Sequence, residues 1–429
     1  MHRLFTILFS AVLLLLGSAQ GTLAQDAHPW TIQRVERQVL VADIAYYQFV
    51  VNVGPGRYDK IRINRVVKEV HPYQPAHLSE AVMFFSGEPT YFASLYIEPL
   101  ISKATPRDHA IAIYLAKNDI DVWGMDYRWA LVPESTTDFS FMRTWGMTTD
   151  VADAQVALTI ARAMRGTPFE PAGPLFLAGL SYGAQITYAI AANDTQRPPK
   201  LQNVKAIIPM DEGLVYADPA IQAEGCEYLS YARGLIASGT YNYDNRPVSQ
   251  MGQLAISDPH GISPFDPTQT LTNYQFALVI ATAPEDEAMP WHFAGGYFDN
   301  TGMPTGLRYT NVRLFEDLLV HNEPPYNPVF VDVEGSAVQC GQPDPDAKVA
   351  DHLNEVSVPI LLVEAAGGFS HSSDYTATFT ASHDLTILNV QLLSDAQQSE
   401  DYGHVDLLTG YNAEYLVWQP ILEWIKTRR

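Results

Sequence analysis

The sequence predicts an α/β fold in which a mostly parallel, doubly wound sheet is interrupted by one large insertion. Three observations predict this fold. Buried-strand patterns alternate with amphipathic helix patterns over residues 35–212, which is typical of a parallel sheet covered on both faces. The alternation stops over residues 213–355, where Pro, Gly, Tyr and Asn accumulate, and it resumes over residues 356–429. The interruption, about 140 residues, is far longer than an ordinary loop.

The first 24 residues are typical of a signal peptide. A short basic start at His2 and Arg3 precedes an apolar run of 13 residues, Leu4–Leu16, which is too short to span a bilayer comfortably. Thr22 and Ala24 predict cleavage after Ala24. We therefore expect a secreted or periplasmic protein with no stable membrane insertion after cleavage. An uncleaved membrane anchor is the alternative.

Before the insertion, strands and helices follow each other in a regular order. Short apolar or β-branched runs bounded by turn residues predict strands, namely "RQVLVADI", "YYQFVVNVGPGRYDKIRINRVVKEV" around a Gly-Pro-Gly turn, "AVMFFSG", "IDVWGMDYR", "LFLA" and "VKAIIPMDEG". Apolar residues at helical spacing predict helices, namely "RDHAIAIYLAKND", "TTDVADAQVALTIARAM" and "AQITYAIAAN".

The insertion and the final segment complete the pattern. A few helical pieces are expected within the insertion, such as "TNYQFALVIATA" and "NVRLFEDLLV". After it, "VPILLVEAAGG" and "HDLTILNVQLL" predict two more strands, and "NAEYLVWQPILEWIK" predicts a last helix that Pro420 bends.

Composition and charge narrow the class of protein. The 429 residues are 47% hydrophobic, which is enough for a large core and argues against disorder. The formal net charge of -22 repels phosphate backbones, so we expect no nucleic-acid partner. No His or Cys cluster has zinc spacing, and we expect neither a metal nor another cofactor.

Cys226 and Cys340 are the two cysteines, and both lie in the insertion. In an exported chain, two cysteines most simply form one disulfide, which we predict here. Two unpaired buried thiols are the alternative.

The stretch "LFLAGLSYGAQ", residues 175–185, places Ser181 between Gly179 and Gly183 at a predicted strand-to-helix junction. The pattern G-x-S-x-G fits a nucleophile elbow, a sharp turn that holds the serine in a strained backbone conformation. Small residues two before and two after the serine avoid clashes, and the positive end of the following helix points at the site. The alternative is a serine that merely starts the helix.

A serine hydroxyl is a weak nucleophile until a base accepts its proton, and histidine is the usual base. His404 lies in "SEDYGHVDLLTG", between the last predicted strand and the closing helix. His371, in "GFSHSSD", is the rival and follows an earlier strand.

The sheet pattern, "GLSYG" and "YGHVDLLTG" resemble the α/β-hydrolase superfamily over residues 35–212 and 356–429. Within these residues, "DVWGMDYRW" and "YGHVDLLTG" are similar to segments of the acid lipases. Met125 and Asp126 replace residues usual there, so acid-lipase substrate preference is not carried across. The resemblance implies an α/β-hydrolase catalytic domain, residues 25–212 and 356–429, with residues 213–355 inserted as a cap. It also places the histidine after the final strand, which favours His404.

The resemblance leaves the acid of a catalytic triad open. The usual position follows the strand "VPILLVEAAGG", where this chain has Gly367, Gly368 and Phe369. Some lipases of the superfamily place the acid after the preceding strand, and here that position is Asp211 in "IIPMDEG". We favour Asp211. The alternatives are Asp374, Glu364 and Glu212, whereas Asp406 is expected to brace the histidine loop.

An oxyanion hole requires two backbone N–H groups. The resemblance assigns one to Tyr182, directly after the nucleophile. The other is expected from the loop after "AVMFF", at Glu88 beside Gly87. We expect the Glu88 side chain to point away from the oxyanion.

These observations favour a secreted serine hydrolase that cleaves carboxylic esters of a small molecule or lipid through an acyl-enzyme on Ser181. The insertion is then a cap that supplies the acyl pocket, and its Tyr, Phe and Pro residues suit an apolar substrate. A peptidase or amidase of the same fold is one alternative. A non-catalytic binding module on the same scaffold is the other.

Overall fold

The computed structural model describes residues 30–167, 171–284, 290–322 and 324–428. The predicted signal peptide, residues 1–24, lies outside these ranges, so its cleavage stays a prediction. None of the helices within these ranges has both the length and the apolar character needed to cross a membrane.

A ten-stranded sheet forms the centre of the fold. The strands of the chain are β1 (Thr31–Val41), β2 (Ile44–Asn52), β3 (Lys60–His71), β4 (Gln74–Pro75), β5 (Ala81–Phe85), β6 (Asp121–Asp126), β7 (Leu175–Leu180), β8 (Val204–Met210), β9 (Asn242–Asp244), β10 (Gly296–Phe298), β11 (Pro304–Leu307), β12 (Tyr326–Pro328), β13 (Ile360–Ala365) and β14 (Leu385–Val390). The order across the central sheet is β1-β2-β3-β6-β5-β7-β8-β13-β14, with β4 paired to β3.

The pairing directions divide this sheet into two parts. The strands β1, β2, β3 and β6 pair antiparallel, as expected for the early strands that turn at the Gly-Pro-Gly sequence. From β6 to β14 every neighbouring pair is parallel. The prediction of a mostly parallel sheet is therefore confirmed. The carboxyl ends of its parallel strands share one edge, which is where ligands bind in such sheets.

Helices cover both faces of the sheet. The helices of the chain are α1 (Phe92–Tyr96), α2 (Ile111–Lys117), α3 (Met147–Arg165), α4 (Tyr182–Thr195), α5 (Pro219–Ala237), α6 (Arg246–Ser257), α7 (Asn273–Thr282), α8 (Val312–Val320), α9 (Val329–Cys340), α10 (Asp374–Phe379), α11 (Asp406–Thr409) and α12 (Gln419–Thr427). Side chains of β5 alternate between the two faces: Met83 and Phe85 join the core beneath α3 and α4, whereas Val82 and Phe84 join the core beneath α1, α2 and α12. This alternation follows from the two-residue period of a strand.

The inserted segment, residues 213–355, leaves the sheet after β8 and returns to it at β13. Its described part contains five helices, α5 to α9. The two helical pieces named from the sequence are α7 and α8, whereas α5, α6 and α9 were not identified from it. Its prolines do not exclude helices because several of them occupy helix starts. Pro219 and Pro247 lie in the first turns of α5 and α6, where proline costs no hydrogen bond.

The predicted disulfide is present within the inserted segment. Cys226 on α5 is bonded to Cys340 at the end of α9, across a sequence separation of 114 residues. These two helices lie against each other, and Leu229 and Ala232 of α5 share an apolar cluster with Val333 of α9.

The hydrogen bonding of the closing helix changes just before Pro420. Residues Glu414–Trp418 form a π-helical turn, and α12 begins at Gln419 with Pro420 in its first turn. Trp418 and Gln419 both have right-handed helical backbone angles, so the helix is continuous through this change, and the bend at Pro420 stays a prediction.

Candidate active site

Ser181 occupies a sharp turn between β7 and α4. Its φ of 59° and ψ of -132° lie in a region that non-glycine residues rarely adopt. It stands at the N-cap of α4, yet its side chain makes no capping hydrogen bond. The hydroxyl is therefore held in the open by a strained backbone, as the sequence predicts for an elbow.

The two glycines of the pentapeptide are required by close packing. A Cβ on Gly179 would lie 2.3 Å from the carbonyl oxygen of Gly183, and a Cβ on Gly183 would lie 2.0 Å from the carbonyl oxygen of Phe85. Any larger residue at either position would push β7, α4 and the loop after β5 apart. The turn can exist only with glycine on both sides of Ser181.

Asp211 follows β8 directly and contacts His404. The carboxylate Oδ2 of Asp211 lies 2.7 Å from Nδ1 of His404. Both side chains are buried, with Asp211 0% and His404 3% exposed. The structure thus brings together the aspartate and the histidine favoured from the sequence, although 193 residues separate them.

Backbone groups of the loop after β13 hold the Asp211 carboxylate in place. It accepts hydrogen bonds from the N–H of Ala365 at 2.9 Å, of Phe369 at 3.3 Å and of Ser370 at 3.4 Å. A Cβ on Gly368 would lie 1.9 Å from the carboxylate. The glycine at the usual acid position therefore makes room for Asp211.

The loop that carries His404 is fixed by the inserted segment. The N–H of His404 donates to the carbonyl of His292 at 3.0 Å, and that of Val405 donates to Phe293 at 2.8 Å. Asp406 accepts from the N–H of Gly403 at 2.8 Å, within its own loop, and from Gly295 at 2.8 Å. Asp406 thus lies where a bracing residue is expected, and burial raises the pKa of its carboxyl to about 7.

Glu212 lies against the Ser181 side chain. Burial raises the pKa of the Glu212 carboxyl to about 8, while hydrogen bonding from Ser181 and Gln185 opposes that rise. The amide Nε2 of Gln185 donates to Glu212 at 2.5 Å. Within the described ranges no hydrogen bond joins Ser181 to His404. In this state the hydroxyl faces Glu212.

The remaining acid candidates do not contact the His404 ring in the described structure. Glu364 lies inside β13 and is fully buried. Burial raises the pKa of its carboxyl to about 9, with further contributions from Asp374 and Asp211. Asp374 begins α10 rather than lying in a loop. The side chain of His371, the rival base, lies outside the described part of the chain.

The loop after β5 reaches the nucleophile at Gly87. A Cβ on Gly87 would lie 3.0 Å from the Cβ of Ser181, so this backbone runs directly beside the serine. In the described chain neither the N–H of Glu88 nor that of Tyr182 donates to another backbone or side-chain group. Both expected oxyanion donors therefore remain unused next to Ser181.

The phenol of Tyr182 donates a hydrogen bond to Asp150 at 2.7 Å. This bond anchors the start of α4.

A cavity of about 510 Å³ opens above Ser181. The main sheet domain contributes Glu88, Tyr182, Gln185 and Glu212 to its lining, and the inserted segment contributes residues of α5, α9 and the stretch near Trp291. The Glu88 carboxylate accepts a hydrogen bond from Asn327 of β12 and lines the cavity. Asn327 thus holds this side chain at the cavity wall, and the expectation that it points away from the oxyanion stays a prediction.

The fold is similar to solved structures of α/β-hydrolases. A "putative lipase" from Sulfolobus solfataricus superposes with a TM-score of 0.62 at 18% sequence identity, over 94% of this chain and 99% of that one. This chain has the α/β-hydrolase fold. An epoxide hydrolase mutant from Vigna radiata gives a TM-score of 0.46 at 14% identity, over 90% of this chain and 98% of that chain.

A monoacylglycerol lipase from Paleococcus ferrophilus gives 0.44 at 9% identity, over 81% of this chain and 95% of that chain. The chain matches no protein-family model and no curated protein.

Several residues of this site were not predicted from the sequence to line it. Trp291, Phe293 and Phe369 surround the His404 ring, with centroid distances of 5.2, 6.5 and 5.3 Å, and the same three side chains line the cavity. Asp332 of α9 also lines it. These residues belong to an insertion and a loop without a recognisable motif, so no local signal in the sequence could have identified them.

Proposed function

We propose that this α/β-hydrolase is a secreted serine hydrolase that cleaves carboxylic esters through an acyl-enzyme on Ser181. The observation that carries the proposal is the buried contact of 2.7 Å between Asp211 and His404, next to a serine in a strained strand-to-helix turn. A serine, a histidine and an acid in these positions are the parts that nucleophilic acyl transfer requires.

Each residue has a definite task in the proposed reaction. His404 accepts the proton of Ser181 as the oxygen attacks the acyl carbon. Asp211 accepts a hydrogen bond from Nδ1–H, which leaves Nε2 free to take that proton and stabilises the imidazolium. The hydroxyl must turn from Glu212 towards His404 for this step.

The tetrahedral intermediate and its breakdown complete the reaction. The backbone N–H groups of Tyr182 and Glu88 bind the oxyanion. His404 then gives its proton to the leaving alcohol, and the acyl group stays on Ser181. A water molecule, deprotonated by His404, releases the acid by the same steps in the second half of the reaction.

The inserted segment acts as the cap of the proposed enzyme. Its helices α5 and α9 contribute to the wall of the cavity, and the disulfide between Cys226 and Cys340 joins them. A small-molecule or lipid ester would place its acyl group in this cavity. Trp291, Phe293 and Phe369 exclude water from His404, which strengthens its interaction with Asp211.

A peptidase or amidase of the same fold is the second candidate function. It is favoured by the carboxyl groups of Glu88, Glu212 and Asp332 in the cavity, because an apolar acyl chain gains nothing from them. The mechanism at Ser181 is the same, and only the leaving group changes from an alcohol to an amine.

A fluorophosphonate probe tests the proposed function. The mature protein is incubated with the probe, and the labelled peptide is identified by mass spectrometry. Labelling of Ser181 and its loss in Ser181→Ala are expected, together with a loss of three or more orders of magnitude in ester hydrolysis. Ser257→Ala is the matched control, since this exposed serine lies on α6 outside the cavity. An unlabelled protein would favour the non-catalytic binding module.

A further inference from the structure

The cavity above Ser181 is lined by an unusual number of carboxyl groups. Its lining contains the carboxyl groups of Glu88, Glu212, Glu224 and Asp332. No Lys, Arg or His is found among the described residues of this lining. An acyl group that lacks a positive charge would leave these carboxyl groups poorly solvated in a partly closed space.

The carboxyl groups of Glu88, Glu212 and Asp332 lie close enough to other carboxyl groups or polar side chains for these neighbours to affect their pKa values. Burial, followed by the charge of Asp332, raises the pKa of the Glu88 carboxyl well above its usual range, and Asp150 and Glu212 add to the rise. Burial likewise raises the pKa of Asp332 to about 6, although Tyr243 hydrogen-bonds to it. None of the contributions to either group comes from a positive charge. The same is true of Glu212, whose opposing hydrogen bonds come from neutral side chains.

The polar lining continues along α9. Ser336 lies one helical turn beyond Asp332 and lines the cavity, as does Gln339. Residues at this spacing share one face of a helix. This face of α9 therefore offers the cavity one carboxyl group and two neutral hydrogen-bonding side chains.

Two of the carboxyl groups flank the nucleophile itself. Glu212 contacts the Ser181 side chain, and Glu88 follows Gly87, whose backbone runs beside Ser181. The carbonyl group of a substrate that Ser181 attacks therefore lies beside these two carboxyl groups. An ammonium group of the substrate that lies between Glu88 and Glu212 would lower the raised pKa values of both carboxyl groups and would balance the charge of the oxyanion.

We propose that the acyl part of the substrate carries a free amine next to the scissile carbonyl, as in aminoacyl esters and at the amino terminus of peptides. The ammonium group binds between Glu212, Glu88 and Asp332. By pairing with Glu212 it replaces the Ser181 hydroxyl, which is then released to turn towards His404. This inference rests on the proposed acyl-enzyme at Ser181 and specifies which acyl group that enzyme takes.

Matched esters test the inference. Alanine ethyl ester and N-acetylalanine ethyl ester share the carbon skeleton and the leaving group, and only the first carries a charge at neutral pH. We expect kcat/KM to be at least tenfold higher for the free amine, and we expect this advantage to shrink as salt screens the charges. An equal or higher value for the acetylated ester would overturn the inference.

An uncharged variant of equal size tests whether the charge of Asp332 causes the preference for the free amine. Asp332→Asn keeps the size of the side chain and removes its charge, so the preference for alanine ethyl ester should fall several-fold, mainly through KM. Glu423→Gln is the control, because Glu423 is exposed on α12 outside the cavity. An unchanged preference in folded Asp332→Asn would contradict the proposed binding mode. Inhibition of the wild type by butylamine but not by butanol provides a readout that needs no variant, and equal inhibition by the two would also contradict it.

Failure of the proposed function has a different signature. A protein that hydrolyses neither ester and is not labelled by the fluorophosphonate probe lacks the acyl-enzyme chemistry altogether. A protein that is labelled at Ser181 and prefers the acetylated ester, or a simple butyrate ester, keeps the proposed function and disproves the amine specificity.

Discussion

Gly368 shows how one small residue determines where the acid can lie. The carboxylate of Asp211 fills the space in which a Cβ of residue 368 would be placed, 1.9 Å away. The carboxylate cannot simply move aside because Ala365, Phe369 and His404 all bind it. An acid after β8 can therefore bind the histidine only when a glycine follows β13.

We predict that Gly368→Ala impairs activity by displacing the carboxylate rather than by unfolding the protein. A shift of several tenths of an ångström would lengthen the contact between Asp211 and His404, and we expect kcat to fall by about tenfold or more. Gly173→Ala is the matched control, since a Cβ there meets nothing within 4 Å. Steady-state kinetics with circular dichroism as a check on folding would decide, and full activity in Gly368→Ala would contradict the prediction.

The acid assignment has its own test. Asp211→Asn should keep the fold and lower turnover by roughly two to four orders of magnitude, since an amide no longer stabilises the imidazolium. Asp374→Asn and Glu364→Gln should change turnover far less. The reverse ranking would place the acid at the usual position after β13.

His404 and His371 are distinguished in the same way. We predict that His404→Ala abolishes turnover, because Ser181 would lose its base, while His371→Ala keeps most of it. Loss of activity in His371→Ala alone would reverse the assignment.

Glu364 makes stability depend on pH. Its carboxyl has a pKa of about 9 in the folded protein, because it is buried near Asp374 and Asp211, against 4.5 in the unfolded chain. Between these values the folded state binds a proton that the unfolded state releases, so the free energy of unfolding falls as the pH rises.

Glu364→Gln should remove this dependence. We predict that the variant unfolds at higher urea concentration than the wild type at pH 8.5 and at a similar concentration at pH 4. Each unit of pKa difference corresponds to about 1.4 kcal/mol, so the effect is large enough to measure. Glu423→Gln, at an exposed position, should not change the pH profile, and an identical profile for Glu364→Gln would exclude a raised pKa.

The residues of the site differ in how far the sequence could predict them. Ser181 is predictable because the elbow needs Gly179 and Gly183 within two positions of it. Asp211 is harder, since its place depends on which strand ends beside the histidine loop. Asp332 could not be predicted as a site residue, because its position in the cavity depends on how α9 packs against the sheet domain. No local sequence pattern encodes that packing.

At the scale of elements, the sheet could be predicted and the inserted segment could not. Strands such as β5 and β13 are short continuous apolar runs, and complete burial is the main cause of that pattern. The helices α5 and α9 were not predicted because prolines lie at their starts and because small residues interrupt the helical sequence pattern. Gly225 is one such residue, since a Cβ there would lie 2.8 Å from Gln339. Close packing between the two helices selects small residues there, which weakens the helical pattern in the sequence.

The disulfide gives a prediction about these two helices. Replacing both Cys226 and Cys340 by Ala removes a link across 114 residues, and the chain-entropy model attributes about 3 to 5 kcal/mol to such a link. We expect a lower midpoint of thermal unfolding and a weaker preference among substrates, because α5 and α9 both line the cavity. An unchanged midpoint in the double variant and in reduced wild type would contradict this role.

At the scale of the whole molecule, export remains a prediction from the first 24 residues. The mature chain should begin at Gln25 when the full-length protein is expressed in a host with a general secretory pathway. Amino-terminal sequencing of exported protein would test this, and a chain that keeps Met1 in the membrane fraction would indicate an anchor. An arginine pair placed in the middle of Leu4–Leu16 should block export.

The backbone hydrogen bonds that fix the His404 loop to residues 292 and 293 have an evolutionary consequence. A recombination event that exchanges residues 213–355 for a foreign segment removes the support of the histidine while leaving Ser181 and Asp211 intact. Such a chimaera keeps a folded sheet and a misplaced base. A segment exchanged for residues 213–355 therefore has to supply equivalent hydrogen-bond acceptors for the histidine loop, whereas point substitutions on α5 and α9 change the cavity wall and leave the support of His404 in place.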